Sequence, residues 1–155
     1  MPGEATNIEA RVRDLERREA ARTLLYTYAD RIDAADFDAV GALFRPDASY
    51  DFMGRVRNGR DAIVARLRRA LSEFDRTSHH VSNVLVRLDG DAVLVSAGVY
   101  AYHVRDSGPA WHVWGRYRQR LIPEGQTLAI AEMQLAGIDA SPRDPGQRDL
   151  FARHP

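Results

Sequence analysis

Three polar residues stand where the surrounding pattern calls for apolar ones: Asp33 at the inner end of a helical segment, and His79 and His103 inside β-type runs. A carboxylate that orients an imidazole makes a general base effective near neutral pH, so these types together point to proton abstraction. Other chemistries find less material. There is no cysteine, no G-x-S-x-G elbow and no S-x-x-K, so a covalent nucleophile is not expected. Neither H-E-x-x-H nor an i, i+4 histidine pair occurs, and the adjacent His79 and His80 would point to opposite faces of a strand, so no metal site is expected. The glycines sit singly in turn contexts rather than in a phosphate-cradling loop, so no nucleotide cofactor is expected and the reaction should need none. Any one of these polar residues, taken alone, is more often a hydrogen-bonded structural group than a catalyst.

The elements that must position these groups can be traced along the chain. From Ile8 to Ala34 the larger apolar residues (Ile8, Val12, Leu15, Leu24, Leu25, Tyr28, Ile32) recur close to the helical period, which predicts a long amphipathic helix. Tyr28 and Asp33, five apart, would lie about 140° apart on it and share a cavity only near its mouth. Asp36 is placed as the N-cap of a short second helix holding Phe37, Val40, Leu43 and Phe44, with Pro46 as its stop. A strand over Ser49 to Met53, a turn from Gly54 to Gly59 and a third helix opening at Arg60 or Asp61, with Ile63, Leu67, Leu71 and Phe74 as its buried stripe, follow.

The remainder is rich in β-branched and aromatic residues, in runs over Thr77 to Leu88, Ala92 to Arg105, Trp111 to Ile122 and Thr127 to Ile138. Asp89-Gly90-Asp91, Asp106-Ser107-Gly108-Pro109 and Pro123-Glu124-Gly125-Gln126 join them as hairpins, which predicts antiparallel pairing of successive strands. Helices first and a strand meander afterwards indicate an α+β domain over 1–140, the helices covering one face of a curved sheet; 141–155 reads as a tail. By alternation His79 shares its side with Val81 and Asn83, and His103 shares its side with Val93, Val95, Val99 and Ala101.

At 155 residues with 45% hydrophobic content the chain suits one domain with an ordinary core. Its 22 lysines and arginines balance 22 aspartates and glutamates, so no global field draws it to nucleic acid or an acidic membrane. No stretch of about eighteen apolar residues and no signal-peptide pattern is present, which predicts a cytoplasmic protein.

The stretches YADRIDAADFDAVGALFRPDASYDF, GRDAIVARL, TSHHVSNV, LDGDAVLVSAGVYAYHV and WGRYRQRL, in this order, resemble the SnoaL-like branch of the nuclear transport factor 2-like superfamily, in particular its scytalone dehydratase-like members. The resemblance spans Ile8 to Ile138 and implies a cone-shaped α+β barrel with a deep pocket. It implies catalytic roles for Asp33, in the D-x-x-D-F stretch, and His79, in the T-x-H stretch, with His103 as a second histidine on the next strand. Tyr28 and Tyr50 correspond to pocket tyrosines of such dehydratases. The departures are Ile32, where scytalone dehydratase has a tyrosine, and Gly115 and Tyr117 in the region of its serine and asparagine; scytalone itself is therefore not the expected substrate.

The resulting expectation is a cofactor-independent lyase that removes water from a small hydrophobic hydroxy-carbonyl or polyketide-like substrate. Isomerisation or cyclisation in the same pocket, or ligand binding without catalysis, are the alternatives. Trp114 and Tyr117 join Tyr28 and Tyr50 as candidate substrate contacts, while Arg116, Arg118 and Arg120 read as a solvated strand face. The family resemblance implies a homo-oligomer, dimer or trimer, formed through the open sheet face.

Overall fold

The computed structural model describes residues 2–142, with side chains described from residue 7; the tail expected over 141–155 lies almost wholly outside the described residues. Three helices, α1 (Pro2–Asp33), α2 (Phe37–Ala42) and α3 (Arg60–Leu71), pack on one curved sheet. The strands are β1 (Phe44–Phe52), β2 (Arg55–Asn58), β3 (Arg76–Asp89), β4 (Ala92–Val104), β5 (Trp111–Glu124) and β6 (Thr127–Ser141). Their spatial order is β2-β1-β6-β5-β4-β3, antiparallel throughout except that β1 runs parallel to β6. The α+β architecture and the antiparallel meander of four long strands are therefore as the sequence pattern indicates.

Four departures have local causes. The stripe expected along all of α1 is buried only from Ala21 onward; Ile8, Val12 and Leu15 are exposed because that part of the helix extends beyond the sheet. Pro46 does not terminate a helix. Helix α2 has already ended at Ala42, and Pro46 lies inside β1, where the register with β6 shifts between Phe44 and Ser49, as a residue without an N–H donor requires. The Gly54–Gly59 segment is not all turn: Met53 and Gly54, with φ of 52° and 86°, make a two-residue hairpin turn and Arg55–Asn58 form the edge strand β2. All four residues of β2 are exposed, so no apolar alternation marks them as a strand. Asn83 leaves the face of His79, because β3 carries a bulge between Ser82 and Leu85 where Asn83 takes φ 52°.

That bulge and the register shifts at Trp114/Gly115 and Arg120/Leu121 bend the sheet around its helix-covered face. The inner face carries the core, in which Tyr28, Tyr50, Phe44, Leu25, Ile63 and Leu121 are fully buried. Arg17 and Arg18 tether α1 to the β3–β4 end of the sheet, donating to the Gly90 and Val86 carbonyls at 2.8 Å each. The C-terminal end of α1 is thereby held across β3, where Asp33 meets His79.

Candidate functional site

Asp33 is the last residue of α1, a position where the helix dipole disfavours a negative charge. The strand beneath it offsets that cost with three donors. Thr77 Oγ1–H donates to Asp33 Oδ1 at 2.8 Å, the backbone N–H of His79 donates to Oδ2 at 2.7 Å, and the His79 ring meets Oδ1 through Nδ1 at 2.6 Å. Burial pushes the Asp33 carboxyl up, but the hydrogen bonds from His79 and Thr77 and the attraction of His79 outweigh it, leaving the pKa below the ordinary value. With Nδ1 engaged by a carboxylate, the His79 tautomer is set and Nε2 is the ring nitrogen left for the cavity.

His103 faces His79 with ring centroids 5.5 Å apart, held between Phe74 at 4.7 Å and Trp111 at 5.1 Å. The pairing Thr77↔His103↔Trp111 across β3, β4 and β5 puts all three on the inner face. His103 Nδ1 lies 3.3 Å from the Trp111 carbonyl oxygen, which only a ring N–H can approach favourably, so Nε2 is an acceptor here too. Burial, reinforced by the charge His79 can carry, pushes the His103 pKa down to about 4.

The two histidines line one wall of an apolar cavity of about 110 Å³. Tyr28, Tyr50 and Tyr117 line it further along, with Tyr28 Oη 3.3 Å from Tyr50 Oη and the Tyr28 and Tyr117 rings edge to face at 5.8 Å. All three phenols are raised above their ordinary pKa, chiefly by burial, and are therefore protonated donors at neutral pH. One hydroxyl proton is spent between Tyr28 and Tyr50, leaving a second for a bound oxygen. Among the described residues, no group of three or more histidine, aspartate or glutamate side chains is arranged to hold a metal ion, and no helix is long and apolar enough to cross a membrane.

The model of the SnoaL-like domain family matches residues 13–134. The chain belongs to this family. A scytalone dehydratase, provisionally so named, from Novosphingobium aromaticivorans superposes on this SnoaL-like chain with a TM-score of 0.78 at 21% identity, covering 84% of this chain and 90% of its own. A hexachlorocyclohexane dehydrochlorinase, LinA type 2, gives 0.76 at 13% identity, covering 87% and 94%. These likenesses establish the nuclear transport factor 2-like cone fold. The human patatin-like phospholipase domain-containing protein 4 is 27% identical over 152 residues, 88% of this chain and 57% of that protein. The chain spans little more than half the length of the curated relatives it matches.

The SnoaL-like fold thus brings Asp33, His79, His103, Tyr28, Tyr50 and Tyr117 to one cavity, with Asp33 behind His79 rather than in the lining. Trp114 does not join them. It lies on the opposite face of β5, 40% exposed, beside Tyr100 and His112. Residues three apart on a strand cannot share a face, so Tyr117 pointing inward sends Trp114 outward, together with Arg116 and Arg118. The inward tryptophan is Trp111, two residues from Val113 and in register with His103. Two further contributors carry weaker sequence signals. Thr77 is the first residue of the T-x-H stretch. Arg66 lies on the cavity side of α3 with Leu67, Ala70 and Leu71, a placement that a helical wheel allows but cannot single out among the arginines of that helix.

Proposed function

We propose that this protein is a cofactor-independent dehydratase acting on a compact β-hydroxy carbonyl compound. The reading rests on one observation above the others: a carboxylate–imidazole pair, Asp33 and His79, closed at 2.6 Å on the wall of an apolar cavity. His79 Nε2 takes the proton next to the carbonyl, and the charge that develops on the imidazole is stabilised by Asp33. The electron pair of the broken C–H bond moves into the carbonyl to give an enolate, whose oxygen is met by a tyrosine hydroxyl from the Tyr28–Tyr50 pair. Collapse of the enolate expels the β-hydroxyl, which leaves as water after receiving a proton.

The donor of that proton is His79. His103 is neutral at physiological pH and its N–H is turned to the Trp111 carbonyl, so its free Nε2 accepts rather than donates. It orients the leaving hydroxyl by accepting its hydrogen bond, while the His79 imidazolium returns the proton it took. A single base of this kind works from one face of the substrate, so elimination should be syn. Acid–base assistance supplies about 10²–10⁴-fold and a well-placed oxyanion donor about 10²–10³-fold, so both are needed for a large acceleration.

A cavity of about 110 Å³ suits a substrate of roughly one small ring. The decisive experiment incubates wild-type protein and His79→Ala with compact β-hydroxy ketones and hydroxylated cyclic ketones and follows the products by mass spectrometry. His79-dependent loss of water is the expected result. A product of unchanged mass with a moved double bond would replace dehydration by isomerisation, and unaltered compounds that co-purify with both proteins would leave only ligand binding.

A further inference from the structure

The ion pairs of the described surface are mostly arginines matched with carboxylates: Arg45 with Asp47, Arg68 with Asp38, Arg76 with Asp106, Arg105 with Glu73. Other described arginines lack such a partner, Arg116, Arg118 and Arg120 on β5 among them, and one unpaired group lies at the cavity. Arg55 and Arg57 on β2 and Arg66 and Arg69 on α3 crowd together, and among the described residues no carboxylate lies within ion-pair distance of any of them. Arg66 is half-buried and lines the cavity, and its pKa is lowered by burial first and then by the like charges of Arg57, Arg55 and Arg69. In a chain of zero net charge this is a local excess of positive charge with no carboxylate opposite it among the described residues.

The guanidinium of Arg66 lies over the Phe52 ring, 5.4 Å from its centroid, and Phe52 is stacked on Tyr50 at 3.7 Å. This contact with the ring face leaves the guanidinium N–H groups free, and a guanidinium so placed can bind a planar two-oxygen anion through parallel hydrogen bonds. No hydrogen bond to another side chain or to the backbone occupies those groups among the described residues. Its place in the cup is also defined. Phe52 is on β1, and the inner face runs from there through β6, β5 and β4 to His79 on β3, so Arg66 and His79 stand on different walls with Tyr28, Tyr50 and Tyr117 between them.

We propose that Arg66, surrounded by Arg55, Arg57 and Arg69, is a carboxylate-binding subsite, and that the substrate is a compact β-hydroxy ketone that also bears a carboxylate, the carboxylate sitting at Arg66 while the carbon losing its proton sits at His79. The assignment of that carbon rests on the dehydratase reading above; the carboxylate subsite does not. Arg66 positions the substrate and takes no part in proton transfer. The three outer arginines raise the local concentration of an approaching anion, an effect that salt screens.

The probe is benzoate, with benzamide as its uncharged isostere, titrated into the full-length chain and read by tryptophan fluorescence. Wild-type protein should prefer benzoate by about tenfold or more, and the preference should shrink as salt is raised. Arg66→Gln should bring the two ligands level, Arg66→Lys should keep part of the preference, and Arg55→Gln/Arg57→Gln should flatten the salt dependence. Equal affinities in wild-type protein, or a benzoate preference that survives Arg66→Gln, would overturn the subsite. Should Arg66→Gln lose its fold by circular dichroism, the wild-type pair and its salt dependence still decide. His79→Ala should bind benzoate as wild type does, so a failure of dehydration and a failure of the subsite give different results.

Discussion

The depressed pKa of His103 makes stability itself a readout of the site, without knowledge of the substrate. In the unfolded chain this histidine titrates near its ordinary value of 6.5, and in the folded protein at about 4. As pH falls through the interval between these values the unfolded state takes up a proton that the folded state refuses, so stability is lost on acidification and is intact above the unfolded pKa. From a pH of about 7.5 down to about 4.5 the linkage amounts to about 2–3 kcal/mol, equivalent to roughly 5–10 °C in midpoint for a chain of this size. Asp33 adds little in that window: its carboxyl is held below the ordinary carboxylate range, so its contribution is present above the unfolded value and disappears only at lower pH. The substitution His103→Leu removes the titrating group and keeps an apolar side chain against Phe74 and Trp111. The variant's deficit from lost ring contacts is constant with pH, and the linkage is not. Urea unfolding at a series of pH values should therefore show the wild-type curve falling towards that of His103→Leu by about 2–3 kcal/mol on acidification. Parallel curves would refute a buried neutral imidazole, and with it the assignment of the returning proton to His79.

Replacing Asp33 by Asn leaves one oxygen for three donors and presents an N–H₂ where His79 needs an acceptor; turnover should fall by about 10²–10⁴-fold and stability by about 1–3 kcal/mol, measured by kinetics and by urea melts. Trp111→Ala opens the cavity wall at His103 and should cost about 3 kcal/mol and most activity, whereas Trp114→Ala, on the outer face, should cost at most about 1 kcal/mol and leave turnover unchanged in the same assays. A methyl at Gly115 would meet Leu135 Cδ1 at 2.9 Å and the Ala136 carbonyl oxygen at 3.0 Å, so Gly115→Ala should lower thermal stability by about 1–3 kcal/mol; an unshifted calorimetric midpoint would contradict the tight β5–β6 approach there.

What could be read from the sequence followed from how far each signal reaches along the chain. The D-x-x-D-F and T-x-H stretches place Asp33 and His79 because each is anchored by its own element, a helix end and a strand start, and the hairpin joints fix the strand order that brings β3 under α1. Grouping Trp114 with Tyr117 goes against the two-residue repeat of a strand; strict alternation selects Trp111. The bulge at Asn83 and the register shift around Pro46 lie beyond alternation: a residue of left-handed backbone exchanges the two faces at the first, and a proline without an N–H interrupts the ladder at the second. Arg66 was illegible for a different reason. Helix α3 carries several arginines, and which of them faces a cavity depends on β1 and β2 arriving beside it from elsewhere in the fold.

Asp33 also shows why a fold-level account falls short of explaining this site. A carboxylate on the last residue of a helix opposes the dipole, and half-burial opposes it further, so neither helix stability nor core packing favours an aspartate there. It is tolerated because β3 supplies Thr77, the His79 amide and the His79 ring at once, and those same three donors fix the carboxylate in the one orientation that leaves His79 Nε2 facing the cavity. An asparagine or serine cap would satisfy the helix end with less electrostatic cost but could not stabilise an imidazolium. Under the dehydratase reading proposed above, the charge serves proton transfer at His79 rather than the stability of α1.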